Sequence, residues 1–263
     1  MINRLKLGFG VLLLALLVAP AWAGNDAAFT IKMRSGDELK CENVSFDADG
    51  NLSFTRQGKT MLLNRSLYDY IATAAQPEPI RAALTLLEKK DYEAAAAKFA
   101  ELAKTYAYCG WDAFCLLKQA EALNGSGESG KAIELLSGWN EKELSGPSYR
   151  GSAVEQGRLL LARLYAQAGE RTKAVKQIDQ LLISDNDGVA ASAFNLLGDM
   201  LVKEGHEQDA VLCYLRPVVL FDRTVPEREY ALRRVCEMLE KMKDSRSTTY
   251  RDMLKREYSA AVK

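Results

Sequence analysis

Histidine occurs once in 263 residues, and cysteine only five times, which leaves little material for a histidine-based general base, a Cys–His nucleophile or a zinc site. No Gly-x-Ser-x-Gly elbow, phosphate loop, dinucleotide fingerprint or His-Glu-x-x-His pair is present, so neither a catalytic constellation nor a cofactor is implied. Charge of one sign is also lacking. With 35 Lys+Arg against 35 Asp+Glu there is no bulk attraction for phosphate backbones, which argues against a nucleic-acid partner. Disorder is excluded from the other direction, because 48% of the residues are hydrophobic.

What is present begins with an export signal. Arg4 and Lys6 precede an apolar run from Leu7 to Val18, and Pro20-Ala21-Trp22-Ala23 supplies a small-x-small end. Cleavage after Ala23 is expected. The competing reading, an uncleaved anchor, has only the 17 residues from Leu7 to Ala23 with which to cross ~30 Å of hydrocarbon, and Pro20 interrupts their end. Gly24 stands where a lipoprotein signal would need Cys. No later run is apolar and long enough to span a bilayer, so no integral span is expected in the mature chain, whose location is periplasmic or secreted. Disulfides can form there, and with five cysteines at least one is left over.

Residues 24–72 read as a small antiparallel β module. Strands are expected at Phe29–Arg34, Leu39–Phe46 with a bulge near Asn43, Leu52–Arg56 and Thr60–Leu63, separated by Ser35-Gly36-Asp37, Asp47–Asn51 and Gln57-Gly58. The alternation and the first turn resemble the small, loosely SH3-like barrels that precede helical repeats in some exported bacterial proteins.

From residue 73 to 263 the pattern is helical, and it repeats. Small residues at Ala95, Ala132, Ala174 and Ala210 recur at intervals of 37, 42 and 36. Phe194-x-x-Leu197-Gly198, Gly205, Ala210 and Tyr214 form the fullest set, with Leu161, Ala162, Tyr165, Gly169, Ala174 and Ile178 matching it one period earlier. Ala83, Tyr92, Ala95 and Phe99 form the first set, and Leu116, Ala120, Leu123, Ala132 and Leu136 the second. This pattern resembles the tetratricopeptide repeat family. The resemblance implies a mainly α protein, an α-α superhelix of four to five helical pairs, with a polar terminal cap at Glu229–Met242 and Thr248–Tyr258. It also implies a partner groove lined by the first helix of each pair, with groove-facing positions at Glu121, Arg163, Asn195, Asp199, Arg233 and Glu237. Asn140–Ser152, rich in Gly, Pro and Ser, widens the second interval as an insertion or a break in the stack.

The remaining motifs have bland readings. Asp47-Ala-Asp49-Gly50-Asn51 has Gly at the fourth position rather than the sixth of a calcium loop, so a hairpin turn is expected. Asp185-Asn-Asp187-Gly188 reads as a loop capping the next helix, and His206 as an exposed residue after the turn glycine. Cys109 and Cys115 are close enough in sequence for a turn to bridge them, and equally suit two small buried hydrophobes. Cys213 and Cys236 fall on neighbouring helices as a bridge or as packing, which leaves Cys41 as the odd thiol. Arg216–Lys263 carries 12 positive against 8 negative residues, a basic end that suits a solvated cap or an acidic partner.

The function expected from these features is that of an exported, non-catalytic scaffold or adaptor that holds a protein or peptide in the groove of a helical repeat. A structural subunit of an envelope assembly complex, marked by large apolar exposure on the outer face, is one alternative. A cryptic envelope hydrolase or glycan-binding module, marked by clustered exposed aromatics, is the other. Intact-mass measurement on protein recovered from the producing cell should give a chain beginning at Gly24; a Met1 start in the membrane pellet would overturn the export reading.

Overall fold

The computed structural model describes residues 29–47, 49–73, 76–139 and 147–258. The expected export signal and residues 140–146 of the insertion lie outside them. The chain divides into two compact units, Met1–Ala75 and Gln76–Lys263.

Among the described residues the first unit holds six strands: β1 (Phe29–Met33), β2 (Glu38–Cys41), β3 (Asn43–Phe46), β4 (Leu52–Arg56), β5 (Lys59–Leu63) and β6 (Tyr68–Thr73). They do not form one meander. β1 is central to a sheet ordered β2-β1-β6, and β4 is central to a second ordered β3-β4-β5. Where a bulged single strand was expected over Leu39–Phe46, the chain breaks at Glu42 and passes from one sheet to the other. Alternation follows the pleat: Phe29 and Ile31 of β1, and Leu52 and Phe54 of β4, point into a core shared with Cys41, Tyr68 and Ile71. Tyr68 is fully buried, and its hydroxyl donates to the Gly50 carbonyl at 2.5 Å, which pins the β3–β4 hairpin. Within that hairpin the Asp47 carboxylate accepts from the amides of Asp49 and Asn51 and from the Asn51 side chain, as a turn requires. Gln57 and Gly58 both take positive φ, the conformation of a two-residue turn that matches strand twist, between Arg56 and Lys59.

The second unit is a stack of helical hairpins. Its helices are α1 (Glu78–Glu88), α2 (Tyr92–Thr105), α3 (Asp112–Gly125), α4 (Ser129–Ser137), α5 (Pro147–Gln167), α6 (Arg171–Leu181), α7 (Asp187–Lys203), α8 (Glu207–Leu220), α9 (Pro226–Lys241) and α10 (Ser247–Tyr258). Each odd-numbered helix packs on the even one after it, and α3, α5, α7 and α9 also pack side by side. The four alanines that set the period, Ala95, Ala132, Ala174 and Ala210, are all fully buried, as are Phe99, Ile178 and Tyr214 one turn further along their helices. Small side chains let the axes approach. Gly198 takes this furthest: a Cβ there would fall 2.6 Å from the Tyr214 ring. At the C-terminal end Arg228 is buried and donates to the Val218 carbonyl, Glu257 and the Tyr258 hydroxyl, which fastens the polar helix α10. Among the described residues no helix is long and apolar enough to cross a membrane.

One turn geometry closes all five hairpins. Lys90, Gly127, Gly169, Gly205 and Lys243 each take a left-handed φ between 56° and 86°. The next amide then reaches back to the carbonyl of Leu86, Leu123, Tyr165, Leu201 or Leu239 at 2.8–2.9 Å. That is the Schellman arrangement, which satisfies carbonyls a helix end leaves open. Glycine adopts this φ without a Cβ clash and lysine does not. Lys90→Gly and Lys243→Gly should therefore each stabilise the fold by about 0.5–1 kcal/mol, whereas Gly205→Ala should cost about 1–2 kcal/mol even though its Cβ would meet open space. Thermal unfolding of the three variants checks both signs.

Candidate functional site

The side-by-side packing of the first helices gives them one common face, and a cavity of ≈ 470 Å³ opens on it. Glu121 of α3, Gln156 and Arg163 of α5, Gly188 and Ser192 of α7 and Glu227 of α9 all line it. Asn186, the N-cap of α7, also lines it and accepts from the Val189 amide at 3.2 Å, so the predicted capping loop ends at the cavity wall. Lys118 donates to both oxygens of Glu121 at 2.9 and 2.7 Å. Glu227 is differently placed. Its Oε2 is buried without a hydrogen-bond partner, over Gly188, where an added Cβ would lie 3.4 Å from that oxygen.

Two of the six groove positions expected from the repeat register, Glu121 and Arg163, thus meet at this cavity. Asn195 departs from the expectation. It is only 6% exposed, and its Nδ2 donates to the Glu227 carbonyl at 2.9 Å, so it ties α7 to α9 rather than facing solvent. Asp199 accepts from the hydroxyls of Tyr214 (2.6 Å) and Tyr230 (2.7 Å) and lies 3.7 Å from Arg234. Glu237 joins the same group through Arg234, whose guanidinium also lies over the Tyr214 ring. Arg233 stands apart, exposed and paired with Glu229 one turn before it. On α9, Glu227 lines the cavity and Tyr230 and Arg234 reach Asp199 directly, spaced three and four apart, and sequence reasoning missed all three. Pro226 at the start of the helix was the available signal, since it fixes where the first turn begins.

The other singled-out residues are structural or exposed. Cys115 is fully buried on α3, and burial first, then the Asp112 carboxylate, pushes its thiol up to about 12; the Cys109–Cys115 bridge is not formed. Nor is Cys213–Cys236: Cys213 feels Asp209 and Arg216 of its own helix, whereas Cys236 feels Glu240 and, from α10, Arg251, so the thiols face different surroundings. Burial, with Glu42 second, raises Cys41 to about 11. His206 is exposed, 3.9 Å from Asp209. A second cavity of ≈ 490 Å³ lies between α4, α5 and α6, with Trp139, Arg158, Tyr165 and Lys176 in its wall. Among the described residues no cluster of His, Cys, Asp and Glu is arranged to hold a metal ion.

Burial first and the Asp199 hydrogen bond second push the Tyr230 hydroxyl up to about 12. An unfolded tyrosine ionises near 10, so this contribution to stability is complete below about pH 10 and is lost as pH rises toward 12. Asp199→Ala should make tyrosine ionise earlier in an ultraviolet titration, but not fully to 10, because burial remains. Asn195→Ala should cost about 1 kcal/mol by removing a part-buried hydrogen bond between α7 and α9, while Glu121→Gln should shift stability by less than about 0.5 kcal/mol.

No protein-family model matches the sequence, and no curated protein matches it. Solved structures do match. A putative kinesin light chain from Podosopora anserina with nearly identical TPR-like repeats is 13% identical, with 70% of this chain and 95% of that one covered at a TM-score of 0.50. A MamA protein structure is 14% identical over 69% of this chain and 90% of that one, with a TM-score of 0.47. At such identity the first likeness speaks for the fold alone, and it agrees with the five hairpins, the buried alanine period and the repeated turn: residues 76–263 have the tetratricopeptide-repeat fold.

Proposed function

We propose that this protein is an exported, non-catalytic scaffold that holds a protein or peptide partner along the face shared by α3, α5, α7 and α9. The observation that carries the reading is the cavity on that face, whose wall mixes donors and acceptors from the first helices of four successive pairs. Such a wall suits an extended chain with alternating carbonyl and amide groups better than a compact hydrophobic ligand. Export rests on the Arg4 to Ala23 signal, and a protein rather than nucleic-acid partner on the balanced charge.

A structural subunit of an envelope assembly is the second reading, and it has its own observation. Leu212, Val219 and Leu220 of α8 are 61%, 75% and 57% exposed, on the side away from the buried stripe of Ala210, Val211, Tyr214 and Val218. An apolar patch of that kind fits an obligate neighbour. The glycan or hydrolase reading has less support, since Trp111 is buried and Trp139 packs over Gly157.

Pull-down from the producing cell's envelope separates the first two. For a groove-bound partner, Gln156→Ala with Arg163→Ala should weaken capture about tenfold without moving the unfolding midpoint. Leu212→Lys with Val219→Lys should leave that capture unchanged. The reverse pattern, with a stoichiometric partner, would establish the assembly reading instead.

A further inference from the structure

Two acceptors line the seam between α7 and α9 with no donor of their own. Glu227 Oε2 is one, a buried oxygen on a side chain that lines the cavity. The other is Asn195 Oδ1, one turn along α7 from the cavity residue Ser192; its orientation is fixed because the Nδ2 of the same amide donates to the Glu227 carbonyl. A buried acceptor left unpaired is costly, and a carboxylate offers acceptors only. The remaining charges of the cavity do not meet this need. Glu121 is already held by Lys118 through both oxygens, and Arg163, exposed on α5, forms no ion pair with Glu227. Gly188 adjoins the Glu227 carboxylate, and a Cβ there would come into contact with it. At ≈ 470 Å³ the cavity has room for one long side chain together with the backbone that carries it.

We propose that this groove selects its partner by a cationic side chain, a lysine or arginine of an extended peptide, seated on the Glu227 carboxylate at the α7–α9 seam. The assignment rests on the scaffold reading and sharpens it. Ammonium and guanidinium groups carry several N–H donors on one charge, which suits a carboxylate that lines the cavity with one oxygen unpaired. Arg163, on the α5 side of the same wall, then faces the peptide backbone, whose carbonyls take its N–H donors.

The test is selection of a random-peptide display library on the wild-type chain and, in parallel, on the Gln156→Ala, Arg163→Ala double variant. Sequences that depend on the groove should share one basic position. Replacing that residue by norleucine, which keeps the aliphatic stem of a lysine and removes its charge, should weaken binding about tenfold on the wild type and at most twofold on Glu227→Gln. Groove-dependent sequences without a basic position, or an equal loss on both proteins, would overturn the cationic assignment and leave the scaffold reading standing. A selection that yields no groove-dependent sequence would overturn both. The norleucine peptide needs no altered protein, and an unchanged unfolding midpoint for Glu227→Gln keeps the comparison free of folding effects.

Discussion

In each of the five helical pairs a single residue with positive φ turns the chain so that the following amide reaches back to a carbonyl five residues earlier, and the rest of the helical unit depends on that reversal. It fixes the pair as a tight antiparallel hairpin. Because the five turns recur at intervals of 37, 42, 36 and 38 residues, the hairpins have similar length and stack with their first helices together. Without that common placement α3, α5, α7 and α9 would share no face, and the cavity that draws on all four would not form. The longest interval contains α5, whose 21 residues make it longer than α3, α7 and α9, so residues 147–152 of the insertion extend a helix N-terminally.

Helix approach is the second constraint, and it connects core to groove. With no side chain at Gly198, the Tyr214 ring lies flush against α7, and its hydroxyl reaches Asp199 one residue further on. Asp199 in turn collects Tyr230 from α9 and stands near Arg234, so three helices are joined at one carboxylate. A larger residue at 198 would displace the ring and with it the hydrogen bond that orders this part of the face. The same small-residue logic recurs where Tyr92 lies on Gly125 and where Trp139 lies on Gly157.

Much of the helical unit was legible because its signals are local. An alanine at a crossing and a glycine in a turn each answer to a steric need within a few ångströms, and they recur in sequence as they do in space. The first and last pairs read weakly because Lys90 and Lys243 occupy the left-handed position that glycine marks elsewhere; the hydrogen bonds are the same, but the residue that advertises them is absent. The β module was less legible. Alternation shows which way side chains point but not which strand a neighbour pairs with, so neither the passage between sheets at Glu42 nor the return of β6 beside β1 could be read from it. Exposure in the groove was the hardest part. Asn195 and Arg233 were assigned from a register, and whether a polar residue on a first helix faces solvent or its neighbour is decided by the next pair. Asn195 is covered because α9 supplies a carbonyl at its position, a contact 32 residues away in sequence.

The α7–α9 seam can bear unpaired acceptors because of how a stacked repeat distributes its stability. Each hairpin is held by its own core and by those of its neighbours, so a local cost is carried by the adjoining interfaces rather than by the whole fold. Around the seam those interfaces are well supplied: Ala210, Tyr214, Val218, Leu232, Val235 and Leu239 form one apolar cluster, and Arg228 locks α10 onto its far side. A buried carboxylate oxygen costs about 1–3 kcal/mol when no donor reaches it, a sum that a cluster of this size outweighs several times. The direction of the cost also matters. An acceptor already satisfied within the chain gives an incoming donor nothing to gain, whereas an unsatisfied one rewards the group that completes it and penalises one that cannot. Recognition at Glu227 therefore requires its carboxylate to be presented to the cavity while the seam holds its place, and the packing that surrounds it supplies that support.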